Sequence, residues 1–224
     1  MAARNQYPQA APARVAPRSA IRSLFQGGVS GNHRLTAVTG MLLLVLLAIE
    51  GLTVLSVRGL FTIHAFVGLA LLPPIGLKLA STGYRFVLYY LGNERYRAAG
   101  PPPLIPRMTA PLLICLTVGL FGTGVALLLI GPQGVDPWRQ LHSILFFFWF
   151  GFMTLHVLTY AWRSSRLARA DLALRPAAPA ALAGAMTRRS LVLGSLLLGL
   201  AVAIAATPWD AAWLQWFSTL HHSG

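Results

Sequence analysis

The stretch LFTIHAFVGLALLPPIGLKLAST, residues 60–82, decides the class of this chain. It is long and apolar enough to cross a bilayer, which takes about 20 residues of helix, and it interrupts its apolar run with only an imidazole, His64, and an amine, Lys78. A second stretch, LHSILFFFWFGFMTLHVLTYAW at residues 141–162, reads the same way, with His142 and His156 as its interruptions. Working outward, three more segments reach spanning length, at 35–57, 108–130 and 190–206. The first of these holds one carboxylate, Glu50.

Composition agrees with that pattern. Of the 224 residues, 56% are hydrophobic and 10% are charged, with a mean hydropathy of +0.64, whereas a soluble domain carries about 25% charged residues. The chain therefore reads as an all-α integral membrane protein with five transmembrane helices. Its single cysteine, Cys115, falls inside an apolar span, which excludes a disulfide framework and a thiolate metal site.

The net charge of +13 would suggest a nucleic-acid partner in a soluble protein. Its distribution argues otherwise. Fifteen of the eighteen basic residues flank the spans on one side: Arg4 to Arg34 before the first, Arg85 to Arg107 after the second, and Arg163 to Arg189 after the fourth. Only Arg58 and Arg139 fall on the other side, and Lys78 lies within a span. The positive-inside rule then predicts a cytoplasmic N-terminus and, after five crossings, a C-terminus outside. Anionic lipid, and no nucleic acid, is the expected partner of the basic loops.

Five regions follow: a flexible basic segment over 1–34 with an amphipathic piece around Ile21, Leu24 and Phe25; a four-helix bundle over 35–163; a basic loop over 164–189; a fifth span over 190–207; and a tail over 208–224. No cleaved leader is expected, because the first apolar segment starts late and runs long. Short links, Val57–Leu60 and Gly131–Gln140, pair the first span with the second and the third with the fourth. In the tail, Trp209, Trp213, Trp216, Phe217 and Leu220 recur at helical spacing, which predicts a helix lying flat in the outer interface, with His221 and His222 as a frayed end.

Titratable groups inside a span are functional candidates by default. Here they are Glu50, His64, Lys78, His142 and His156, and their spacing gives them meaning. His64 and His142 lie equally shallow on two spans of the same direction. Fourteen residues further along each come Lys78 and His156. That separation is roughly 21 Å of helix rise and misses four whole turns by only about 40°, so each helix keeps both groups near one face. The result is a ladder, with an outer rung of His64 and His142 and an inner rung of Lys78 and His156.

Two neutral imidazoles facing each other across apolar helices meet the needs of axial haem ligation. Gly68, one turn from His64, and the Gly122-Thr123-Gly124 run of the third span would let a flat macrocycle approach, or simply let helices pack. Lys78 has two readings, an amine ligand or a side chain snorkelling to the cytoplasmic interface. His156 has three: a prosthetic-group carboxylate, a quinone carbonyl or a neighbouring helix as its partner. Glu50 is either a proton acceptor in quinol oxidation, or a partner of Arg58 or of an outer histidine, or a protonated or snorkelling carboxyl. Pro73-Pro74 predicts a kink between His64 and Lys78.

Histidines fourteen residues apart on one helix, a matched partner helix and a four-helix core resemble the bacterial b-type cytochrome membrane subunits, including those of hydrogenases and formate dehydrogenases and the ferric-reductase-like proteins. The resemblance covers about residues 35 to 163. It implies an antiparallel haem-binding bundle, with His64 and His142 as axial ligands of an outer haem b. His156 would be one ligand of an inner haem, where Lys78 stands in place of the expected histidine. It further implies electron relay between membrane quinone and a redox partner protein at the outer face, as a subunit of an oxidoreductase rather than a complete enzyme. The competing readings are a ferric reductase acting at the outer face and a haem-free scaffold or transporter accessory whose histidines bond between helices.

Two motif-like runs are set aside. Thr187-Arg-Arg-Ser-Leu-Val-Leu-Gly194 has the look of a twin-arginine signal but serves as the basic flank of the fifth span. Gly122-Thr-Gly124 lacks the strand and third glycine of a dinucleotide site.

Overall fold

The structure is a computed structural model that describes residues 28–100, 104–133, 135–172 and 184–222. Its long elements are α1 (Gly28–Val54), α2 (Phe61–Tyr90), α4 (Leu104–Ile130), α5 (Asp136–Leu172) and α6 (Ala185–Ala206); α3 (Glu94–Ala98) is a short connector, and a 3₁₀ turn (Thr207–Trp209) leads from α6 into α7 (Asp210–His222). No strand occurs among the described residues. Five helices are long and apolar enough to cross a membrane, the last counted from Ala185 through Thr219. Ile21, Leu24 and Phe25, and the side chains of Leu220, His221 and His222, lie outside the described residues.

The helices run past the apolar cores that mark them in sequence. The second continues from Thr82 to Tyr90 and ends on Gly92, whose φ of +83° is open to glycine. There the Asn93 amide bonds the Leu88 carbonyl at 3.0 Å and the Gly92 amide bonds Tyr89 at 3.3 Å, a Schellman stop that satisfies the last carbonyls. Pro73 and Pro74 do not break α2. His64 and Lys78, on either side of them, line one cavity.

Outward faces carry large apolar side chains: Phe147 is 71% exposed and Leu158 75%. Hydroxyls on these helices bond their own backbone, as Thr154 does to Phe150 and Thr159 to Leu155, both at 2.8 Å. Both features suit a surface facing hydrocarbon, where a polar group finds no water.

α1 packs along α2, from Asn32 Nδ2 donating to the Ser81 carbonyl at one end (3.0 Å) to Thr53 meeting His64 at the other (2.8 Å). α4 packs along α5, so both short links join neighbours. α1 also meets α5, and α4 touches α2, which closes a ring in which α2 and α5 stand diagonally opposed. α6 stands outside that ring, pressed on α2. Gly199 makes this contact possible: a Cβ there would sit 2.2 Å from the Ala70 carbonyl oxygen. Ala203 and Ala206 continue the small-residue seam, buried with Leu69, Ala70 and Leu128.

The aromatic stripe of α7 turns inward. Trp213 is 4% exposed, stacks on Phe61 at 5.4 Å and donates its Nε1–H to the Leu127 carbonyl at 3.2 Å. Phe217 meets Phe61 edge-on, and the Arg139 guanidinium lies 5.4 Å over the Trp216 ring. Only part of the stripe, such as Trp209, faces outward. The tail expected to lie flat at an interface instead caps the His64 end of the ring, because Phe61 and the end of α4 offer its indoles apolar and hydrogen-bonding partners together.

Candidate cofactor cavity

The ring frames a half-open cavity of about 850 Å³, lined by α1, α2, α4 and α5 and by Trp213, Trp216 and Phe217 of α7. Cofactor pockets commonly span about 300–1,000 Å³. All five titratable side chains singled out in the sequence, Glu50, His64, Lys78, His142 and His156, line it. The other walls are mostly apolar, and Glu50 is the only carboxylate among the described lining residues.

At the α7 end the two imidazoles come from the diagonal helices, and each is held through Nδ1. His64 Nδ1 lies 2.8 Å from Thr53 Oγ1 and 3.0 Å from Glu50 Oε1. The Thr53 hydroxyl spends its proton on the Glu50 carbonyl, so toward His64 it can only accept. His142 repeats the device: its Nδ1 lies 2.9 Å from Thr123 Oγ1, whose proton serves the Gly119 and Leu120 carbonyls of its own helix. A hydroxyl has one proton and two lone pairs. A neutral imidazole that satisfies this hydroxyl donates Nδ1–H and keeps its free lone pair on Nε2. Fixing the tautomer through the remote nitrogen is how proteins prepare a histidine for metal.

Glycine makes room at this end. A Cβ at Gly124 would approach His142 Cε1 to 3.2 Å, and one at Gly68 would approach Glu50 Oε1 to 3.4 Å. The second carboxylate oxygen, Glu50 Oε2, is buried with no hydrogen-bond partner. Such an orphan marks a site built for something further. Of the sequence alternatives for Glu50, the structure shows the bond to an outer-rung histidine.

At the Ser81 end the second rung has a different character. Lys78 Nζ donates to the Thr36 carbonyl of α1 at 2.6 Å and sits in a notch above Gly40, where a Cβ would come within 2.7 Å of it. It is thus anchored on backbone while still lining the cavity. The His156 ring leans on Tyr160 at 5.0 Å, and its nitrogens make no hydrogen bond to a described residue. Trp149, seven residues from each α5 histidine, is buried between the rungs and donates to Thr117 Oγ1 at 3.0 Å.

Sequence reasoning missed Thr53, Thr123 as a histidine partner, Gly40 and Trp149. Trp149 had a usable signal, its heptad spacing to both histidines; the threonines had none beyond their place within a few turns of the rung. Among the described residues no group of three or more His, Cys, Asp or Glu gathers, and a porphyrin iron asks the protein for only two ligands. Comparison with protein-family models, with curated proteins and with solved structures finds no match.

Proposed function

We propose that the ring is an antiparallel four-helix cytochrome bundle that holds one haem b between His64 and His142 and relays electrons between membrane quinone and a redox protein at the outer face. The observation that carries this reading is the matched pair of imidazoles, each tied through Nδ1 and each with an unshared Nε2 lone pair, on opposed helices lining one apolar cavity.

The residues present fit such a group. The donors are neutral imidazoles, the walls are apolar, the glycines at 68 and 124 keep the space beside the rung open, and Glu50 Oε2 is left without a partner. A haem bound there would supply a one-electron centre. Thr53 and Thr123 hold the ligand rings in orientation. Glu50 Oε1, 3.0 Å from His64 Nδ1, adds a second tie on that ring. Trp213, Trp216 and Phe217 line this end of the cavity with aromatic rings. We assign one such site, because at the other rung an amine, Lys78, stands across from His156 where a second ligand histidine would be needed.

In this reading the Ser81 end faces the cytoplasm and the α7 end faces outward. Arg85, which donates to His33 Nδ1 at 3.0 Å, belongs with the fifteen basic residues assigned to the inner face. The chain then sits in a bacterial plasma membrane as a multi-pass subunit.

The test is a dithionite-reduced minus oxidised spectrum of protein purified from haem-replete cells in mild detergent. Soret and α bands are expected, and His64→Ala or His142→Ala should abolish them. A colourless wild-type protein would end the cytochrome reading and leave the imidazoles as helix-to-helix hydrogen bonders.

A further inference from the structure

We infer that the second rung, Lys78 with His156, is the binding site for the head group of a membrane quinone, at the far end of the cavity from His64 and His142. The inference rests on the cytochrome reading for its context but on separate residues for its chemistry.

Lys78 is a donor with capacity to spare. An ammonium has three N–H groups, and the structure assigns one, to the Thr36 carbonyl. No carboxylate among the described lining residues stands near it in the ladder; Glu50 is at the other rung. An amine kept within an apolar cavity without a counter-ion is costly unless an oxygen acceptor completes its shell. Opposite it, from the diagonal helix, His156 offers a ring nitrogen with no partner. Between the two lie apolar walls that include Leu43, Ile75, Leu79, Met153 and Val157.

A ligand suited to this place is flat and apolar, with carbonyl oxygens at its rim. That is the chemistry of a benzoquinone or naphthoquinone head group, held by charge-assisted hydrogen bonds from Lys78 and His156. A carboxylate of a macrocycle held at His64 does not satisfy the same donors, since fourteen residues place Lys78 roughly 21 Å along the helix from that ligand.

Gly40 leaves the room that the amine occupies. Its missing Cβ leaves the notch through which Nζ reaches Thr36, and a methyl there would displace Nζ without changing any charge.

The experiment titrates decylubiquinone and a short-chain naphthoquinone into the full-length protein by isothermal titration calorimetry, with the haem spectrum recorded on each sample. Lys78→Met, His156→Phe and Gly40→Ala should each weaken quinone binding at least tenfold while leaving the dithionite difference spectrum intact. Unchanged affinity in Lys78→Met and Gly40→Ala would overturn the inference, as would loss of haem from Lys78→Met to the extent seen in His64→Ala. If Lys78→Met fails to fold, Gly40→Ala and His156→Phe decide alone. The two readings fail separately: wild-type protein with haem but no quinone binding sinks the inference only, and colourless protein that binds quinone through Lys78 sinks the cytochrome only.

Discussion

At the residue scale, the proposed chemistry needs two threonine hydroxyls as well as the two histidines. An imidazole free to rotate offers either nitrogen. Thr53 and Thr123 remove that freedom because each gives its proton to a backbone carbonyl and keeps only acceptor capacity for the ring. Thr123→Val preserves shape and removes the acceptor, leaving His142 Nδ1 without its partner. Haem affinity should then fall by about 10–100-fold, the usual cost of deleting a ligand's outer partner. Thr53→Val should cost less, since Glu50 Oε1 still accepts from His64 at 3.0 Å. Haem transfer to apomyoglobin, timed for each variant, measures both; equal loss rates for the two would contradict the assigned roles.

At the element scale, α6 holds α2 in place. Among the described glycines, Gly199 leaves least room for a Cβ, because it sits over the Ala70 backbone, between His64 and Lys78 on the helix that carries both. Because the obstacle at 2.2 Å is a carbonyl oxygen rather than a pliable side chain, Gly199→Ala cannot be relieved by a rotamer change. The two helices must separate, and overpacking of this kind costs about 1–3 kcal/mol. Thermal unfolding in detergent should show a clear drop for Gly199→Ala and none for Gly194→Ala, since a Cβ at Gly194 meets nothing within 4 Å. A drop of equal size in both would remove the effect from the crossing, since alanine is the better helix former at either position.

At the scale of the whole molecule, the five spans were legible because length and apolarity are local properties, and the ladder because helix rise and rotation convert fourteen residues into geometry. Helix ends were less so: Thr82 marks the end of an apolar run, while the helix stops only where Gly92 can turn the chain. Thr53 and Thr123 escaped notice because a threonine in an apolar helix ordinarily bonds its own backbone, and a second bond depends on which helix lies opposite. The inward turn of α7 depended in the same way on Phe61, 152 positions before Trp213 in the chain. The charge asymmetry, by contrast, is wholly a sequence property, and it makes a prediction for the assembled molecule. Arg95 and Arg97 lie on α3, beside the end where Arg85 meets His33, whereas Gln133 lies in the link between α4 and α5 near the α7 cap. With Cys115 replaced by serine, a cysteine at position 95 should be shielded from a membrane-impermeant maleimide in intact cells and react only after permeabilisation, and one at position 133 should react in both. Labelling of position 95 in intact cells would invert the orientation and move the proposed haem to the cytoplasmic side, because the rung at His64 and His142 is fixed to the same end of the ring as Gln133.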